Sequence, residues 1–222
     1  MRARCKQFVI LILDLLINQV HIVWSCKIKY VAFMLSLNII KAFNQVLHIR
    51  LLYTLKMKKM LSYIIEWTRS FLKDWETSLI FNEQTSNIRE INANISQKFF
   101  ISSILFLFFN VSLIEKCEAL KIKIEVLDFI NDINILVYDD KFIKEICRTL
   151  SKEYDVCTKW ACTHDTTFAS EKYELTHFTR KLKRFNIMIS IQIESSIIKL
   201  KSNVQVLKVQ LNMKLQWDAH LW

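Results

Sequence analysis

The chain has 222 residues, 52% of them hydrophobic and 23% charged, with 31 Lys and Arg against 21 Asp and Glu for a net charge of +10. That length suits one large domain or two small ones, and the composition excludes a disordered chain. The positive excess suits a polyanion such as nucleic acid, or an anionic membrane surface.

In chain order, residues 8–24 carry apolar side chains at helical spacing. Asp14 interrupts that run and no small-residue cleavage site follows, so a signal peptide is not expected. KYVAFMLSL (29–37) reads as a buried strand. Residues 46–57 and 61–73 read as two helices, with Leu51, Leu52 and Leu55 on the apolar face of the first and Leu61, Ile64, Ile65 and Phe71 on that of the second. ETSLIFN (76–82) alternates like a strand. The longest uncharged run, FFISSILFLFFNVSLI between Lys98 and Glu115, is short for a spanning helix, which needs about 20 residues. A buried core helix over 101–119 is the expectation, with no membrane partner; a membrane segment is the alternative.

KIKIEVLDFI and INILVY then flank Asn131-Asp132 as the two arms of a hairpin. Residues 140–162 form an amphipathic helix with Phe142, Ile143, Ile146, Leu150, Tyr154, Cys157 and Trp160 along one side. KYELTHF (172–178), RFNIMISIQI, SIIKL and NVQVLKVQLN read as strands. Helices and strands interleave with much antiparallel pairing, which gives an α+β fold.

Six cysteines lie at 5, 26, 117, 147, 157 and 162 with no CxxC pair. Cys157, Cys162, His164 and His177 fit none of the usual zinc spacings, so free thiols in a reducing, intracellular compartment (cytoplasm or nucleus) are expected. The chain contains no Gly and no Pro, whereas ordinary usage of about 7% and 5% predicts roughly 27. Codons for both are rich in G and C, which points to a coding sequence driven toward A and T.

Five segments occur in a telling order: SLNIIKAFNQV (36–46), INANISQKFFISSILFLFFN (91–110), FINDINILVY (129–138), SEKYELTHFTR (170–180) and VQVLKVQLNMKLQW (204–217). Their order and spacing resemble the palm motifs of reverse transcriptases, most of all those of non-LTR (LINE-type) retrotransposons of filamentous fungi, over residues 15 to 222. The resemblance implies a polymerase palm, a split βαβ (ferredoxin-like) antiparallel sheet with helices on one face, plus partial fingers. Residues 1–28 would be a fingers remnant and 29–222 the palm, with motif A at 33–46, B at 91–110, C at 127–138, D at 165–180 and E at 204–217. The thumb and any nuclease domain would lie outside this chain.

The resemblance also implies a chemistry. Family enzymes copy an RNA template from a DNA primer with dNTPs, using two Mg²⁺ ions held by one Asp on the first palm strand and an Asp-Asp pair in the hairpin. Here those positions are Asn38, Asn131 and Asp132, so Asp132 alone remains as a charged metal ligand. Each lost charge is worth ~4 kcal/mol per close pair at moderate dielectric, so metal binding and catalysis are expected to be impaired. Phe43 matches the gate against the sugar 2′ position; on its own it reads equally as a core Phe. Gln97 matches a glutamine beside the incoming nucleotide, or is a surface loop residue. Lys172 matches a lysine at the pyrophosphate leaving group, or is a solvated strand end. VQVLKVQL matches the hairpin that supports the primer end.

Tyr138-Asp139-Asp140 mimics a metal motif but lies at the far end of the return strand, where capping of the next helix is the expected role. Family Gly positions hold Asn94, Lys98, Asp128 and Lys208, and family Pro positions hold Ser96, Phe100 and Ser103. G-to-A and C-to-T change, as in hypermutated fungal repeats, would account for these together with the two amides. The alternatives are a non-enzymatic basic RNA-binding remnant and a decayed reading frame with no role.

Overall fold

The computed structural model describes residues 2–26, 31–73, 75–78, 80–82, 84–97, 99–119, 124–139, 143–180, 189–193 and 196–215. Its centre is a six-stranded sheet made of β1 (Val31–Asn38), β6 (Ile124–Phe129), β7 (Asp132–Asp139), β8 (Glu174–Phe178), β9 (Ser190–Ile193) and β10 (Ser196–Lys201). Their spatial order is β6-β7-β1-β8-β10-β9. All neighbours run antiparallel except β8 and β10, which are parallel.

Strand alternation sorts the two faces of the sheet. On one face Phe33, Leu35 and Leu37 of β1 join Ile133, Ile135 and Val137 of β7 in the main core. Two helices cover that face. The first, α4 (Phe100–Glu118), buries Leu105, Phe106, Phe109 and Leu113. The second, α5 (Ile143–His164), buries Ile146, Leu150, Tyr154, Cys157 and Trp160, the apolar stripe expected from its periodicity; Phe142 lies outside the described residues. α4 is long and apolar enough to cross a membrane by length and composition, yet its buried side chains pack into this core. Two shorter helices, α2 (His48–Met57) and α3 (Ser62–Leu72), extend the layer and bury Leu51, Leu55 and Leu72.

The other face has a different cover. Ala32, Met34, Leu136 and Phe178 meet Leu13, Leu16, Val20 and Val23 of α1 (Arg2–Ser25) in a second core. The helix expected as a fingers remnant therefore lies against the central sheet itself. α1 thus adds a helix on the face opposite α4 and α5 and buries its apolar stripe there. Trp24 clips α1 in place: its indole N–H donates to the Phe178 carbonyl at 3.3 Å, and Arg180 lies over its ring at 4.7 Å. A hairpin of β11 (Asn203–Val206) and β12 (Val209–Asn212) adds Val204, Val206 and Leu211 to the same core.

Residues 76–82 do not form the single expected strand. They split into β2 (Glu76–Thr77), paired with β5 (Arg89–Glu90), and β3 (Ile80–Phe81), paired with β4 (Gln84–Thr85). Ile80 and Phe81 are 75% and 77% exposed. The alternation there has no core to face, and without Gly or Pro its turns carry no signal in the sequence. Lys172 likewise falls in a 3-10 turn, Ser170–Lys172, ahead of β8 and not in the strand.

Missing glycines leave marks on the backbone. Asn94 and Lys208, two positions assigned to glycine by resemblance, have φ of 100° and 67°. Lys98 lies outside the described residues, and Asp128 is an ordinary strand residue without positive φ. Leu207 and Lys208, both at positive φ, form the two-residue turn between Val206 and Val209. Such a turn suits Asn-Gly.

Candidate functional site

Along β1 and β7 the face that starts under α1 changes character. Ala32, Met34 and Leu136 give way to Ser36, Asn38, Asp132 and Asn134, so the end of the strand pair is polar where its beginning is apolar. Ser36 Oγ donates to the Asn134 amide oxygen at 2.7 Å, which satisfies two buried polar groups inside the sheet. The cross-strand register puts Asn38 opposite Asp132 and Val31 opposite Asp139. Asp139 is thus at the far end of the strands from Asn38, as expected; Asp140 lies outside the described residues.

Backbone bonds hold this corner rigidly. The Asn38 carbonyl accepts from Ala169 N–H at 2.8 Å, and Ile39 N–H donates to the Asn131 carbonyl at 2.8 Å. The turn Ile130-Asn131 has positive φ only at Ile130, 59°, a place that favours Gly. Asn110, buried in α4, supports the turn from the opposite face. Its Nδ2 donates to the Ile130 carbonyl at 3.1 Å and to both carboxylate oxygens of Asp128 at 3.2 and 3.3 Å. Burial pushes the Asp128 carboxyl up to about 7; the Asn110 bond opposes this and the charge of Asp132 adds to it.

All six residues singled out in the sequence come together here. Asn38 Nδ2 donates to Asp132 Oδ1, and Asn131 Nδ2 donates to the same oxygen at 3.2 Å. Burial raises the Asp132 carboxyl above its ordinary range, opposed by the Asn38 bond and by the positive charge of Lys172. Two clefts meet at this point. One, of about 480 Å³, runs between the polar strand ends and the β11–β12 hairpin, with Lys201, Gln205 and Lys208 on its wall. The other, of about 510 Å³, runs toward Phe43 and Gln97. Asn38, Asn131, Glu171 and Lys172 line both.

Phe43 is a core residue and a cleft wall at once: its ring sits 5.3 Å from that of Phe106, and its carbonyl accepts from Ile95 N–H at 3.0 Å. That bond fixes the loop carrying Gln97, whose side chain is exposed. Two contributors escaped the sequence reading. Glu171 adds a carboxylate to both clefts, and its adjacency to Lys172 was the available signal. Asn110, an amide in an otherwise apolar helix, was the other.

The residues do not fit a pair of divalent ions. Asp132 Oδ1 is occupied by two amide donors, and either amide turned over would offer only a neutral oxygen. Among the described residues no group of three His, Cys, Asp or Glu is arranged to hold a metal. The zinc pattern also dissolves: His177 stacks on Phe33 at 4.6 Å, His164 stacks on Trp160 at 4.4 Å, and Cys162 is an exposed free thiol.

No family model and no curated protein matches the sequence. Among solved structures the chain is similar to apo telomerase from Candida tropicalis truncated from its C-terminal domain, with TM-score 0.62 and 11% identity over 96% of this chain and 39% of that one. It is similar to telomerase from Candida tropicalis in complex with the TWJ fragment of telomeric RNA, with TM-score 0.62 and 11% identity over 94% of this chain and 33% of that one. A further apo telomerase from Candida tropicalis gives TM-score 0.57 and 13% identity over 96% and 36%. The chain therefore spans no more than about two fifths of the length of these proteins. At such identity the likeness is one of fold: the chain has an α+β, reverse-transcriptase-like polymerase fold.

Proposed function

We propose that the chain is a degenerate reverse transcriptase palm from a non-LTR retrotransposon. By descent it is an RNA-directed DNA polymerase acting on an RNA template, a DNA primer and dNTPs, in the cytoplasm or nucleus, with its nucleotidyl transfer impaired. The observation that carries this reading is the pairing of Asn38 with Asp132 across β1 and β7, with Asn131 in the turn beside them. That is where polymerase chemistry would need three anions to hold Mg²⁺, and two are amides. Such ions would lower the pKa of the primer hydroxyl and neutralise developing charge; the chain's remaining groups cannot do this alone. Phe43 and Gln97 would line the nucleotide site, and Lys172 would face the leaving pyrophosphate.

The test is primer extension on an RNA template with Mg²⁺ or Mn²⁺. The unmodified chain is expected to give little or no product, and Asn38→Asp plus Asn131→Asp to raise it. Robust extension by the unmodified chain sinks the impairment. A second reading, RNA binding without chemistry, is favoured by Lys172, Lys201 and Lys208 on the first cleft and by the net charge of +10. It requires salt-sensitive RNA binding, and absence of binding at low salt removes it.

A further inference from the structure

A third cleft lies on the helical layer, away from Asn38 and Asp132. It has a volume of about 360 Å³ and opens between α2, the C-terminal half of α4 and the end of α5. Its polar lining includes Arg50, Lys58, Lys116 and His164, against one carboxylate, Glu115. Glu115 is engaged by Lys58 in an ion pair. Among the described residues Arg50 and Lys116 make no ion pair, although both side chains lie on the same cleft.

The cationic form of His164 is disfavoured. Burial lowers its pKa; the contact of Nδ1 with the Trp160 carbonyl at 2.9 Å opposes this, and Arg50 and Lys116 add to the lowering. The cationic character therefore rests on Arg50 and Lys116. Two further features match a nucleotide more than a bare anion. Ser112 Oγ accepts from the Trp160 indole at 2.9 Å, so its own hydroxyl proton remains for a second partner on the cleft. Tyr53, at the cleft edge, is 57% exposed and offers a ring face on which a base can stack.

We propose that this cleft binds single-stranded nucleic acid, with Arg50 and Lys116 on backbone phosphates, Ser112 donating to a phosphate oxygen and Tyr53 stacking on a base. It is a second contact, on the opposite side of the sheet from the candidate polymerase site and independent of its chemistry. A strand held here is outside the clefts at Asn38, which suits a segment of template or transcript being tethered, not copied.

The experiment uses fluorescence anisotropy of a labelled oligouridylate on the full chain, across a salt series. Arg50→Glu plus Lys116→Glu is compared with Lys152→Glu plus Lys199→Glu, an equal change in net charge at exposed positions away from the cleft. The first pair is expected to weaken binding roughly tenfold more than the second, and to reduce the slope of log K against log salt by about 1.4. Tyr53→Ala, which changes no charge, is expected to weaken binding roughly fivefold or more. Equal losses in the two charge-reversal pairs, or no loss with Tyr53→Ala, overturn the site. Competition by inorganic phosphate or uridine monophosphate as effective as by the unlabelled oligomer overturns the strand reading. None of these outcomes depends on whether the Asn-to-Asp chain extends a primer, so the two proposals fail separately.

Discussion

The two faces of the central sheet differ in what they demand of their residues. Under α4 and α5 the face carries Phe33, Leu35, Leu37, Ile133, Ile135 and Val137, all buried and all apolar. On the other face, at the same end of the same strands, Asn38 and Asp132 share a hydrogen bond where paired carboxylates would suit a polymerase. An apolar core needs volume and hydrophobicity, and many residues meet that requirement. A metal site needs charge at fixed points, and an amide of equal size does not meet it. An apolar face therefore tolerates substitutions that a metal site would not.

The sharpest way to break the apolar face is at its largest side chain. Trp160 is fully buried, 5.7 Å from Phe109 and bonded to Ser112. Trp160→Ala is expected to cost about 3–5 kcal/mol, a large share of a total of about 5–15, measurable by denaturant titration. A loss below about 1 kcal/mol would mean that this core is not the stable body of the molecule.

Next in size is a pH effect from buried acids. Burial pushes both Asp128 and Glu153 up to about 7; Asn110 opposes it for the first and Cys117 for the second. In the unfolded chain each would lose its proton near pH 4, so between roughly pH 4 and 7 the folded chain holds more protons. Stability then falls as pH rises through that window. A measurable fall in stability from pH 4 to 8 is expected, and Asp128→Asn is expected to flatten part of it. Stability that rises over this range would show that these acids ionise freely.

The polar face gives a smaller signal. Without metal, Asn38→Asp plus Asn131→Asp crowds three carboxylates and removes two donors to Asp132, for an expected loss of about 1–3 kcal/mol. Mg²⁺ is expected to restore the melting temperature of that variant and leave the parent unchanged. A Mg²⁺-dependent rise in the parent would mean that the amides still permit metal binding. The smallest effect belongs to the β11–β12 turn. Lys208→Gly relieves a left-handed residue at about 1–2 kcal/mol and returns part of that as unfolded-state entropy, for a net gain of about 0.5–1. A loss of stability there would show that the Lys208 side chain contributes more than its backbone costs.

Much of this architecture was legible because periodicity survives loss of punctuation. α5 follows its apolar stripe, and β1, β6 and β7 follow their apolar runs. That Asn38, Asn131 and Asp132 would lie together was legible from the strand and hairpin patterns that carry them. Residues 76–90 were not, since exposed Ile80 and Phe81 imitate core alternation and no Gly or Pro marks the turns. The position of α1 was hidden as well: an amphipathic pattern says which side is buried, not which surface receives it.

That position has a consequence for biosynthesis. Leu13, Leu16 and Val20 are translated long before Leu136, Phe178 and Leu211, which share their core. At about 5–20 residues per second, this segment waits roughly 10–40 seconds for its last neighbours to be translated. Until then its apolar stripe lacks those partners, so the nascent chain exposes a surface that the finished one buries.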